Sequence, residues 1–350
     1  MISRKVHIAL KPSPHIHSGQ DVVVIMRNVV LALLPLNLWF IWQFGLSAIV
    51  HTLGILLSCL LTERIWAWAA GKPNPLGDWS ATITGLLLAL TVPPSLPLWM
   101  GAVGGIVAIA LGKAFFGGLG FNVFNPALVG RAFIQAAFPV AVNTWPPAWW
   151  EGRFATFYPT TFTVPFMSPP DLNAWLASMV DAVSGATPLA QMKFAHQQQS
   201  ALDLWVFADA SNVTGPPALL ILACGLYLAF RRMLDWRIPL SIMASAAAFA
   251  AIFWLLDPGR HPDPLFVLAS GGLMLGAWFM ATDMVGSPVT PLGAVLYGIL
   301  IGMVTVIIRL FGGMAEGVMY AILLGNAATP LIERITQPRP FGAEGRRRRT

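Results

Sequence analysis

The amino-acid sequence predicts an all-α integral membrane protein of about ten transmembrane helices, arranged as two inverted five-helix repeats. Three observations predict it. Charged residues make up only 10% of the chain and the mean hydropathy is +0.69, where a soluble domain carries roughly 25% charged residues. Apolar stretches of spanning length recur from one end of the chain to the other. Short motifs of the first half return in the second. With 56% apolar residues in 350, a globular core cannot absorb so much apolar surface, so lipid must be the solvent.

Residues 1–23 are polar and basic, read as a cytoplasmic tail in which a cleaved signal peptide is not expected. The first membrane repeat follows over 24–142, with apolar segments near 24–43, 46–69, 79–92, 96–114 and 123–142. Its third segment is short and stops at Pro93-Pro94. Its fifth carries Pro126 and Arg131, which a helix surrounded by lipid would avoid. Residues 143–213 are read as a long loop. The second repeat, over 214–335, holds segments near 215–231, 238–256, 264–281, 292–310 and 314–334, and a basic tail over 336–350 closes the chain.

Basic residues orient these segments. Arg4, Lys5 and Lys11 precede the first, Arg64 and Lys72 flank the end of the second, and Arg231, Arg232 and Arg237 follow the sixth. Alternating crossings put them all on one face together with the arginines at 346–349, and the positive-inside rule makes that face cytoplasmic. The 143–213 loop then faces outward. The net charge of +6 gathers in the tails, where anionic membrane lipid, not nucleic acid, is the expected partner.

The repeat rests on particular residues. Phe116-Gly117-Gly118-Leu119 returns as Phe311-Gly312-Gly313-Met314, and the same spacing aligns Val123 with Val318, Leu128 with Leu323, Gly130 with Gly325 and Ala132 with Ala327. Asn74-Pro75-Leu76 answers Asp263-Pro264-Leu265 at a slightly different offset. Five crossings per half invert the second half, and inverted repeats place their sites near the midplane on interrupted helices.

Polar residues inside or beside the segments carry two readings each. Arg131, whose repeat counterpart is Asn326, lies in the fifth segment behind Asn122 and Asn125; Glu316 opens the last segment and Asp283 closes the eighth. Intramembrane charge marks ion or substrate routes. Equally, Arg131 suits the carbonyls freed at the breaks near Pro126 and Pro94, and Glu316 and Asp283 suit solvated helix ends. His15, His17, His51, His196 and His261 form no ligand pattern, and no metal site is expected. Cys59 and Cys224, alone in apolar stretches, make neither an iron–sulfur nor a zinc set.

The outward loop begins with an aromatic run, Asn143-Thr144-Trp145-Pro146-Pro147-Ala148-Trp149-Trp150, suited to a membrane interface. Further on stands Asp181-Ala182-Val183-Ser184-Gly185-Ala186-Thr187-Pro188. Thr187 before Pro188 reads as a helix start, with the hydroxyl as N-cap and proline at the first helical position. Gly185 and Ala186 leave room for a large group to approach that hydroxyl. The free N–H groups of a helix start would also favour a phosphate, so the two readings ask for similar geometry.

At these residues the chain resembles a known family. Ser184-Gly185-Ala186-Thr187, with Asp181 ahead of it, is similar to the flavinylation motif of the D subunit of the Rnf electron-transport complex. It is equally similar to that of the related B subunit of the sodium-translocating NADH:quinone oxidoreductase. The likeness extends to Ser18-Gly19-Gln20, to Gly120-Phe121-Asn122-Val123-Phe124-Asn125-Pro126-Ala127, and to Gly130-Arg131-Ala132. The short stretch ahead of the first segment favours the Rnf subunit. The resemblance implies FMN attached by a flavin transferase through a phosphoester to Thr187, with Ser184, Gly185 and Ala186 as its backbone setting and Asp181 as a recognition element. It implies a redox translocase subunit, an electron carrier inactive alone, assembled with other subunits in a bacterial inner membrane. Electrons would pass between ferredoxin and NAD, coupled to sodium or proton movement, and a non-covalent riboflavin is a further possible cofactor of the family. A small-solute channel built from inverted repeats and a scaffold that only docks redox subunits stand as alternatives.

Overall fold

Helix α1 (Val22–Phe44) starts where the Val22 amide donates to the side chain of Asp21 at 3.0 Å and stops at Gly45. The Gly45 φ of 74° is left-handed, and a Cβ there would lie 1.9 Å from the carbonyl oxygen of Arg153. Only glycine allows the chain to turn at once into α2 (Leu46–Ala69). Along α2 the side chains of Leu53, Leu57, Leu61 and Ile65 are each at least 50% exposed, while Ala48, Ile55 and Cys59 are buried. A stripe of bare apolar side chains at four-residue spacing marks a face that lipid or another apolar surface covers.

The computed structural model describes residues 21–338 except 147, 166, 168–169, 173–174, 176–186, 196–199, 207–214 and 260. Among the described residues every regular element is helical. Helix α3 (Ser80–Thr91) follows a 3-10 turn (Pro75–Asp78) and a left-handed Trp79, φ 65°. Helix α4 (Leu98–Ile109) runs on as a π turn to Ala114. Helices α5 (Pro126–Ala137) and α6 (Pro139–Asn143) complete the first half. Two short helices, α7 (Pro188–Ala195) and α8 (Ala201–Val206), lie in the long connecting segment. The second half comprises α9 (Ala218–Phe230), α10 (Arg237–Leu256), α11 (Pro264–Ala269), α12 (Leu273–Leu275, continued as a π turn Gly276–Met280), α13 (Pro291–Phe311) and α14 (Val318–Thr336).

Four helices, α1, α2, α10 and α13, are each long and apolar enough to cross a membrane. Two of the expected segments are broken. The fifth begins only at Pro126, because Asn125 caps it by accepting from the Ala127 amide at 3.0 Å, and it breaks again at Pro139. The eighth breaks at Ser270-Gly271-Gly272, where Gly271 has φ 63°.

The packing repeats as the motifs do. Helix α2 packs on α3 and α4, as α10 packs on α11 and α13; α4 lies on α5 as α13 lies on α14. Helix α1 touches α3 and α9 touches α12, while α1 with α9 and α5 with α14 join the halves. Gly130 and Gly325, paired by sequence, both sit at these crossings: a Cβ on the first would meet Gly104 of α4, and on the second Ile301 and Tyr297 of α13. Connections gather at two ends. Thr290 meets Thr336, Lys72 meets Gly117, and Asn122 meets Asp283 at the end where both described termini emerge, here the near end. At the far end Arg153 meets Trp42, Gly215 meets Gln43, and Lys193 meets Gly312. The described parts of the connecting segment that make these contacts therefore lie at the end opposite the described termini.

Close helix approach makes a clear prediction. A Cβ at Gly302 would lie 2.7 Å from the Ile242 carbonyl oxygen and 2.9 Å from the Ala246 nitrogen, both backbone, whereas one at Gly313 meets nothing within 4 Å. Gly302→Ala should cost about 1–3 kcal/mol by overpacking, and Gly313→Ala should cost far less. Unfolding midpoints of the two variants in one detergent compare them directly.

Candidate functional site

Thr187 stands at the start of α7, where its Oγ1 accepts from the Ala190 amide at 3.2 Å and its carbonyl accepts from the Gln191 amide at 2.9 Å. The N-cap expected from Thr187-Pro188 is therefore formed. Asp181, Ser184, Gly185 and Ala186 lie outside the described residues.

Thr187 lines a cleft at the far end, between the halves. One wall is the end of α3, at Leu90 and Thr91; the facing wall is the break of the eighth segment, at Gly271 and Gly272. Its floor carries Arg131 of α5 and Glu316 just before α14. Arg131 is only 5% exposed. Its Nη1 donates to Gln135 Oε1 at 2.7 Å, but Nη2 meets Glu316 Oε2 only at 3.8 Å. A buried guanidinium held by one amide and one loose carboxylate retains capacity for a stronger acceptor. Trp145 also lines the cleft; it is buried against Phe44, with ring centroids 6.3 Å apart.

Helix α7 is fastened above this cleft by Lys193, whose Nζ donates to the carbonyls of Gly312 at 2.5 Å, Met314 at 2.7 Å and Ile308 at 3.4 Å. Desolvation there holds the ammonium below the usual lysine range. The lysine thus caps the end of α13 while pinning Thr187's helix to the second half.

A second cavity, of about 100 Å³, occupies the near end, lined among others by Ser80, Asn122, Asn125, Thr282 and Asp283. The two cavities answer each other across the repeat. The near one lies between the start of α3 and the end of α12; the far one lies between the start of α12 and the end of α3.

A sequence model of the NQR2, RnfD, RnfE family matches residues 9–342 of this chain. The chain belongs to this family. Among curated members, the D subunit of the Na(+)-translocating ferredoxin:NAD(+) oxidoreductase complex of Acetobacterium woodii is 38% identical, over 97% of this chain and 96% of its own length. The D subunit of the ion-translocating oxidoreductase complex of Alcanivorax borkumensis is 36% identical over 97% and 98% of the two chains. The D subunit of the proton-translocating ferredoxin:NAD(+) oxidoreductase complex of Clostridium ljungdahlii is 35% identical over 97% of both. The resemblance read from the motifs is thus correct at the level of the family, and these three relatives are all D subunits.

For this family member the structure brings Thr187, Arg131 and Glu316 to one cleft, residues that lie far apart in the sequence. Asp283 belongs to the other end, where its Oδ2 accepts from the Asn122 amide at 3.1 Å. One expectation is corrected: among the described residues Arg131 has no carbonyl partner, and Arg309 is the arginine that bonds carbonyls at a helix break. Its Nη1 donates to Val267 at 2.6 Å and its Nη2 to Ser270 at 2.9 Å. The first half has a matching cation. Lys113, at the end of α4, bonds Glu63 of α2 and Ser80 just past left-handed Trp79, with Asp78 3.8 Å away. In each half, then, a buried cation from the fourth helix closes the interruption in the third. Glu63, Lys113 and Arg309 escaped the sequence reading. All three stand inside apolar segments, so intramembrane charge was the available signal.

Proposed function

We propose that this chain is the flavin-carrying membrane subunit of an ion-translocating ferredoxin:NAD oxidoreductase complex, bearing FMN on Thr187 through a phosphoester. The observation that carries the reading is the placement of the Thr187 hydroxyl. It caps a helix at the edge of the cleft between the repeats, with the under-occupied guanidinium of Arg131 lining the same space. Phosphate suits both neighbours: the positive end of a helix dipole and the two-pronged donor of arginine. Glu316, with a side chain 35% exposed, is free to turn away. The residues fit the group.

FMN supplies the redox chemistry when bound. The chain's own residues hold and shield it: Thr187 tethers, Arg131 balances phosphate charge, and Leu90, Leu128 and Met280 give the cleft apolar walls. A tether also keeps a carrier whose charge changes each cycle from dissociating. A flavin transferase would recognise the segment from Asp181 to Thr187, and the other subunits would pass electrons to and from the cleft. In this reading the near end faces the cytoplasm of a bacterial inner membrane and residues 143–213 face the periplasm.

Mass spectrometry of the peptide containing Thr187, from protein made with its transferase, tests the proposal; an unmodified mass would overturn it. Arg131 should matter quantitatively. Losing one charge-assisted contact is worth about tenfold, so Arg131→Gln should slow FMN attachment by about that much and Arg131→Lys less. An attachment rate unchanged in both variants would remove Arg131 from phosphate binding.

A further inference from the structure

A third cavity, of about 200 Å³, lies at the far end on the flank of the second repeat, apart from both cavities described above. Three groups able to donate to an anion line it: Arg309 of α13, Lys193 of α7 and His261 of the loop before α11. No carboxylate is among its described lining residues. Arg309 is 6% exposed, and with both terminal nitrogens on carbonyls its Nε–H has no acceptor among the described residues. A buried, unmet N–H on a charged group costs several times an exposed one, so the site is short of an acceptor. Glu316, the carboxylate that acts on Arg309, lines the neighbouring cleft instead.

The remaining walls are apolar: Leu189 and Met192 of α7, Ala250 and Phe253 of α10, Val306 and Leu310 of α13. Next to them along the same helices, Leu255, Leu256 and Phe311 are between 66% and 77% exposed, the pattern of a lipid-facing surface. We propose that this cavity seats the phosphate of an anionic phospholipid from the adjoining leaflet, its acyl chains running along α10 and α13. The His261 imidazole (a donor in either protonation state) would bond the phosphate directly, with the charges of Lys193 and Arg309 lining the same cavity. Free phosphate would leave the apolar walls bare. Because Lys193 and Leu189 belong to α7, the lipid would also brace the helix that begins at Thr187, although the proposal stands whether or not Thr187 carries flavin.

The test uses the assembled complex, stripped of lipid in detergent and titrated with phosphatidylglycerol, phosphatidylcholine or inorganic phosphate, with bound lipid counted by native mass spectrometry. Phosphatidylglycerol should bind most tightly, inorganic phosphate at equal concentration should not displace it, and His261→Phe and Lys193→Met should each weaken it about tenfold. His261→Phe leaves the three Lys193 bonds that fasten α7 in place, and an unchanged unfolding midpoint of that variant separates lost lipid from lost folding. Phosphatidylglycerol binding unchanged in both variants would overturn the proposal. So would equal affinity for both lipids, which marks a general apolar groove, or full displacement by inorganic phosphate, which makes the ligand the free anion.

Discussion

Thr187→Val is expected to abolish the flavin fluorescence that stays with this polypeptide after denaturation. Valine matches threonine in shape but offers no oxygen on which a phosphoester can form. The side effect is limited. The substitution also removes the N-cap bond to Ala190, which costs about 1 kcal/mol, and α7 remains pinned through Lys193. Loss of flavin without loss of the folded protein is therefore the specific outcome. Thr187→Ser keeps both the oxygen and the cap and should retain fold and label. If fluorescence survives Thr187→Val and disappears with Ser184→Ala, the attachment oxygen belongs to Ser184.

The buried triad of Glu63, Lys113 and Ser80 should give the largest stability effect in the molecule. Side chains of Lys113 and Glu63 are 5% and 3% exposed, so neither charge can recover water when its partner is removed. Glu63→Leu leaves the ammonium facing Ser80 and a carboxylate 3.8 Å away; Lys113→Met strands Glu63. Each single change should cost about 3–5 kcal/mol, whereas the double variant should regain most of that loss, since an apolar pair of similar volume replaces an ion pair at little cost. Unfolding midpoints of the four proteins form a double-mutant cycle. Purely additive losses would show that the two residues do not act as a pair.

Much of this architecture is legible in the chain because the bilayer restricts the choices. With no water to satisfy backbone groups, each apolar run must become a helix, and the segments expected near 24–43, 46–69, 238–256 and 292–310 appear as α1, α2, α10 and α13 within a few residues. Polar punctuation places other boundaries: Asn125-Pro126 starts α5 and Thr187-Pro188 starts α7 because an amide or hydroxyl can cap where proline needs no donor. The break at Ser270-Gly271-Gly272 is not legible in the chain. Its glycines look like ordinary small helix-packing residues until the chain around them shows a left-handed φ.

Sequence by itself determined the membrane character, the repeat, the family and the candidate oxygen of Thr187. Composition, periodicity and short motifs are local properties, and lipid solvation turns them into helices with little tertiary input. Only the tertiary structure decided what surrounds that oxygen. Arg131 and Glu316 reach the cleft of Thr187 because α5 and α14 cross at the junction of the halves, and Arg309, not Arg131, closes the break in the eighth segment. A buried charge must find its counterpart wherever packing brings one, and no spacing along the chain encodes a contact made across two inverted halves.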